Sequence, residues 1–168
     1  MNKVNLLAVL VSVTLCGCTP PATEGDVESP AGAASYESDK SKDEEVIRSA
    51  IARMPQVWNS GDMAGYFDLY AENEQTTLVF SDRITVGWQS IRNMFDNLWP
   101  TQEAMGVFEA RDVKVRFLSD DLAVATGIYQ HQFPQEYVVG AFSLVFERHE
   151  ADWKIVHEHT SRGHSAEE

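Results

Sequence analysis

The feature that most constrains this chain is a change of period near its middle. From Phe108 to Ser161 apolar residues recur at every second position, in four segments separated by short polar turns. The segments are Phe108 to Leu118, Leu122 to His131, Tyr137 to Arg148 and Asp152 to Ser161. Alternation of this kind marks strands with one face buried, and turns this short join neighbours in an antiparallel meander. In the first segment Val113, Val115 and Phe117 share a face, with Asp112, Lys114 and Arg116 opposite.

Before this region the spacing is helical. Val46, Ile47, Ala50, Ile51, Met54, Val57 and Trp58 form one stripe. Ser41 and Glu44 ahead of it have capping-box spacing, which predicts a helix from Ser41 to Asn59, with Pro55 kinking its last turn. Asn59-Ser60-Gly61 breaks that helix, and Asp62 is placed to cap a short second one bearing Met63, Tyr66, Phe67 and Tyr70. Thr76 to Phe80 and Ile84 to Val86 read as two short strands. A third helix, from Gly87 to the stop at Pro100, carries Trp88, Ile91, Met94, Phe95 and Leu98. Helices first and a sheet after them make an α+β fold, with about three N-terminal helices on a strongly curved, mostly antiparallel sheet.

The amino terminus reads as a processing signal. Leu6 to Leu15 is an apolar run too short to span a bilayer, and Leu15-Cys16-Gly17-Cys18 follows it. That motif resembles the lipobox of bacterial lipoproteins. The resemblance implies cleavage after Gly17, lipidation of Cys18, and an outer-membrane protein facing the periplasm. Cys16 departs mildly from the usual Ala or Ser. The expected organisation is a signal peptide over 1–17, a disordered acidic tether over 18–40, a folded domain over 41–162 and a polar tail over 163–168. With both cysteines of the chain in this motif, the mature domain has neither disulfide nor free thiol. The formal net charge of −13 argues against nucleic acid and anionic membrane surfaces as partners, because phosphate contacts need clustered Lys and Arg. Membrane contact is expected through the lipid alone.

The last hairpin can be read further. With Glu150-Ala151 as the turn, Phe146 faces Ile155, Leu144 faces His157 and Phe142 faces His159. The interior face then holds Trp153, Ile155, His157 and His159, while Ser143, Lys154, Glu158 and Thr160 look outward. No carboxylate lies on that interior face. For Ala123, Ala125, Gly127, Tyr129 and His131 parity leaves the facing open, and a bulge could settle it.

Taken together, the chain from Asp43 to Ser161 resembles the SnoaL-like group of nuclear-transport-factor-2-like domains. The likeness rests on Trp58-Asn59-Ser60-Gly61-Asp62, on Gly87 with Ile91-Arg92, and on Trp153 to Ser161. It implies a cone with a pocket at its wide end, and homodimers formed through the outer sheet face. It does not imply one chemistry, since the group includes isomerases, dehydratases, cyclases, binding subunits and assembly domains. The expected pocket residues are Tyr66, Trp88, Tyr129, His157 and His159. The two histidines are candidates for general acid or base, for structural hydrogen bonding, or, with His131, for a metal. No metal or cofactor is expected. The reading is a small, partly apolar ligand, with a cofactor-independent lyase, isomerase or hydrolase, or a dimeric assembly module, as alternatives.

Overall fold

The computed structural model describes residues 30–150 and 152–163. The lipobox and most of the polar tail therefore lie outside the described residues. The elements in order are α1 (Pro30–Asn59), α2 (Met63–Phe67), β1 (Thr77–Phe80), β2 (Arg83–Val86), α3 (Trp88–Leu98), α4 (Gln102–Met105), β3 (Val107–Phe117), β4 (Leu122–Gln132), β5 (Tyr137–His149) and β6 (Asp152–Arg162). The six strands among the described residues form one sheet in the order β2-β1-β6-β5-β4-β3. Each pairing is antiparallel except β1 with β6, which is parallel. This is the expected α+β cone, with helices against a curved sheet.

The start of α1 corrects the expectation. The helix runs through Ser41 from Pro30, so residues 30–40 of the proposed tether are helical. Proline suits a first helical turn, and the alanines that follow it are strong helix formers. Most of its predicted stripe faces the core, with Ile47, Ile51, Met54, Val57 and Trp58 buried, but Val46 is exposed. The break after it is built as the sequence suggests. Gly61 turns the chain at φ 75°, and Asp62 accepts a hydrogen bond from Gly65 N at 2.8 Å. Asn59 then ties the helix end to β3, giving a bond to Phe108 O (2.9 Å) and taking one from Phe108 N (2.8 Å).

Two bulges decide which residues enter the cone. In β3 the register shifts between Arg111 and Lys114, where Asp112 takes φ 56°. Phe108 and Ala110 therefore share the inner face with Val113, Val115 and Phe117, although their parity differs. Through β3 the bulge also settles β4. Phe108 pairs with His131, Ala110 with Tyr129, Val115 with Ala125 and Phe117 with Ala123, so these β4 residues point inward and Leu122 outward.

The second bulge, at Val156, overturns the reading of the last hairpin. Phe146 pairs with Ile155 as expected, but Val145 pairs with His157, so β6 advances two residues for one on β5. Leu144 then faces Glu158, and Phe142 faces Thr160. The inner face of β6 is Trp153, Ile155, Glu158 and Thr160; His157 and His159 lie on the outer face, half-buried and exposed. The cause lies on the other edge of β6. There Ile155 exchanges backbone bonds with Leu69 and Ala71 (both 2.9 Å), whereas from His157 onward the partner is β1. The extra residue takes up the change of partner.

At the hairpin end of the sheet the cone is sealed by a polar clasp. Asp43 on α1 takes a two-pronged ion pair from Arg148 and a 3.2 Å bond from Trp153 Nε1. The Arg148 guanidinium lies 4.6 Å over the Trp153 ring.

Candidate functional site

Toward the opposite end, the inner faces of α1, β3, β4, β5 and β6 enclose a cavity of about 60 Å³. Its walls are mostly aromatic and aliphatic. Trp58, Tyr66, Phe95 and Trp99 form one side, with ring centroids 5.0 to 6.1 Å apart and mainly edge-to-face. Phe142 and Leu144 lie across from them on β5. Gly140 makes room for Tyr129, since a β-carbon there would lie 2.5 Å from the Tyr129 ring and 2.0 Å from Ser161 O.

Few polar groups reach this space. Glu158 is 7% exposed and lines the cavity, and Tyr70 donates a hydrogen bond to its Oε2. Tyr70 Oη lies 3.2 Å from Tyr66 Oη. One hydroxyl proton cannot serve both contacts, so with Glu158 ionised Tyr66 is the donor to Tyr70. Backbone pairing of the 69–71 segment with Ile155 is what sets Tyr70 beside Glu158. Burial pushes the Glu158 carboxyl up to about 7, against the opposing pull of the Tyr70 bond. Burial, and then the charge of Glu158, push the Tyr66 and Tyr70 phenols well above their usual value. Burial likewise raises Tyr129. No Lys or Arg lines the cavity among the described residues.

Thr160 also lines the cavity, and its Oγ1 is buried without a hydrogen-bond partner among the described residues. A buried hydroxyl with no partner costs about 1–3 kcal/mol, so its persistence beside Glu158 points to a ligand or solvent contact. His131 stands on the neighbouring wall. Its Nε2 is 2.6 Å from Met105 O, which also accepts from Trp58 Nε1 at 3.0 Å. A carbonyl can only accept, so His131 carries its proton on Nε2. Burial lowers its basicity more than the Met105 bond raises it. Its ring is stacked on Phe133 at 3.8 Å.

Of the residues expected in the pocket, Tyr66 and Tyr129 line it. Trp88 stands behind Tyr70, stacked at 6.0 Å, and does not line the cavity. His157 and His159 are on the other side of the sheet from His131, so the three histidines do not converge. Sequence reasoning missed Glu158 and Thr160, having assigned both to the outer face. The available signal was the adjacent apolar pair Ile155-Val156, which breaks the alternation where the bulge occurs.

The SnoaL-like domain family model matches residues 47–164. The chain belongs to this family. Among solved structures it is similar to an NTF2-like protein of unknown function from Shewanella oneidensis. That likeness has 24% identity and a TM-score of 0.66, over 70% of this chain and 97% of the other. An NTF2-like protein with a cystatin-like fold from Novosphingobium aromaticivorans is 20% identical, with a TM-score of 0.62 over 83% and 94%. A similar protein of unknown function from Pseudomonas putida is 19% identical, with a TM-score of 0.60 over 76% and 91%. No curated protein matches the chain. At these identities the likenesses establish the fold and leave the chemistry to the site.

Proposed function

We propose that this SnoaL-like domain binds a small, partly apolar molecule in its cone, with Glu158, Thr160 and the Tyr66–Tyr70 pair as the polar end of the site. The observation that carries this reading is a carboxyl group buried in an aromatic cavity beside a hydroxyl that has no partner among the described residues. Such groups are expensive to bury and gain most when something in the cavity meets them. Ligand-observed NMR of the full chain against a panel of small organic fragments tests it. Hits should disappear in Ala110→Phe, which fills the cavity. A panel with no cavity-dependent hit would refute the reading.

A second reading has its own support. A carboxyl titrating at about 7, held by a tyrosine pair, is suited to moving a proton in a cofactor-independent isomerase or lyase. Glu158 replaces His157 and His159 as the candidate group, since it lines the cavity and they do not. Activity lost in Glu158→Gln but kept in His159→Ala would support it.

The lipobox motif supports a lipid anchor on Cys18 and an envelope location. Incorporation of labelled palmitate, abolished by Cys18→Ala, tests that step. The outer sheet face, with Val139 and Val145 among polar neighbours, supports pairing of two copies. Light scattering should give a dimer that Val145→Asp dissociates.

A further inference from the structure

Resting on the binding reading, we infer that the ligand is a small organic amine, bound as its ammonium between the Glu158 carboxylate and the aromatic wall of the cavity. The argument begins with charge. Glu158 is the one carboxylate lining the space among the described residues, and no Lys or Arg accompanies it. The other titratable groups facing it are phenols, Tyr66 and Tyr70 from α2 and the segment after it, and Tyr129 from β4. His131 shares the cavity but is held neutral by burial, with its Nε2 proton committed to Met105 O. Arg162, whose charge reaches Tyr129, does not line the cavity and is already paired with Glu136. An anionic ligand would meet a carboxylate with no cation to answer it. A cationic one supplies the missing countercharge.

The walls point the same way. Trp58, Tyr66, Phe95 and Trp99 gather four aromatic rings around one side of the space. The electron-rich face of such a ring attracts an ammonium within about 6 Å, most strongly for tryptophan and most strongly when water is excluded. Glu158 Oε2 is occupied by Tyr70, whereas no hydrogen bond reaches Oε1 from the described residues. Together with Thr160 Oγ1, which can accept, Oε1 offers an ammonium its N–H partners. Size limits the ligand. At roughly 10–15 Å³ per water-sized group, the cavity of about 60 Å³ holds four to six such groups, the scale of a short branched alkylamine.

Three probes with the same isopropyl end test the class: isobutylamine, its isostere isobutanol, and isobutyrate, titrated by NMR into the full chain at pH 8. There the amine is charged and Glu158 ionised. Isobutylamine should bind at least tenfold more tightly than isobutanol, with no saturable site for isobutyrate. Glu158→Gln should weaken isobutylamine about tenfold and leave isobutanol within about twofold. Amine affinity in the unmutated chain should fall as pH drops from 8 to 6, because Glu158 takes up a proton. Isobutanol binding as tightly as isobutylamine, or Glu158→Gln leaving the amine unaffected, would overturn the amine assignment while the binding reading stood. Failure of every fragment, these probes included, would overturn both.

Discussion

Replacing Glu158 by glutamine should abolish a loss of stability that the unmutated protein suffers as pH rises through neutrality. The folded carboxyl titrates at about 7, against 4.5 for the unperturbed group, because burial disfavours its charged form. A raised folded value means that the native state binds more protons than the unfolded chain between those limits. Its stabilising effect is complete below pH 4.5 and is lost as pH rises through 7. A shift of this size corresponds to about 3 kcal/mol. Glutamine is close in shape to the neutral acid, and its carbonyl can still accept from Tyr70. The variant should therefore equal the unmutated protein near pH 4.5 and exceed it by about 3 kcal/mol above pH 8. His131 works in the opposite sense. Its folded value lies below 6.5, so its contribution is lost as pH falls through that range, but it is present in both proteins and cancels in the difference. Asp43 and Asp152 are held below 3.8 and change only at more acid pH. Urea denaturation gives the difference directly, since about 3 kcal/mol moves the midpoint by roughly 1–3 M. A difference that is flat with pH, or that favours the unmutated protein above pH 8, would refute the reasoning.

Gly140→Ala should destabilise by about 1–3 kcal/mol, or more, because its β-carbon meets backbone at Ser161 O and cannot be relieved by a rotamer change; thermal unfolding checks this. Asp43→Asn should cost about 1–2 kcal/mol near neutral pH, by breaking the half-buried pairing to Arg148 and the bond from Trp153. That cost should shrink only as pH falls below 3.8, because the Arg148 bond holds the folded Asp43 carboxyl below that value and it takes up its proton at more acid pH. His157→Ala and His159→Ala should leave any cavity ligand's affinity within about twofold, measured beside Glu158→Gln, because both imidazoles are on the outer face.

Local signals in the sequence were sufficient for much of the fold. The stripe on α1, the Asp62 cap, α3 and the four long strands each depend on residues within one or two turns of one another. What was hidden depends on distant partners. The parallel pairing of β1 with β6 joins segments some eighty residues apart, and no periodicity announces it. The four residues of α4 are too few to carry a pattern, though Thr101 does cap them. The bulges matter most for the site, because one extra residue at Val156 exchanges the two faces of the strand beyond it. Trp153 and Ile155 were therefore assigned correctly, and His157, Glu158 and His159 were not. Ser41 shows the converse, a capping pattern with its required spacing that lies inside a longer helix.

The claim on which the site rests is that Glu158 lies inside the cone and holds a proton near neutral pH. Carboxyl ¹³C titration of the glutamate-labelled protein measures it. The account predicts one glutamate resonance titrating at about 7, absent from Glu158→Gln and moved higher in Tyr70→Phe. If every glutamate titrates between about 4 and 5, Glu158 holds no proton near neutral pH and the claim fails.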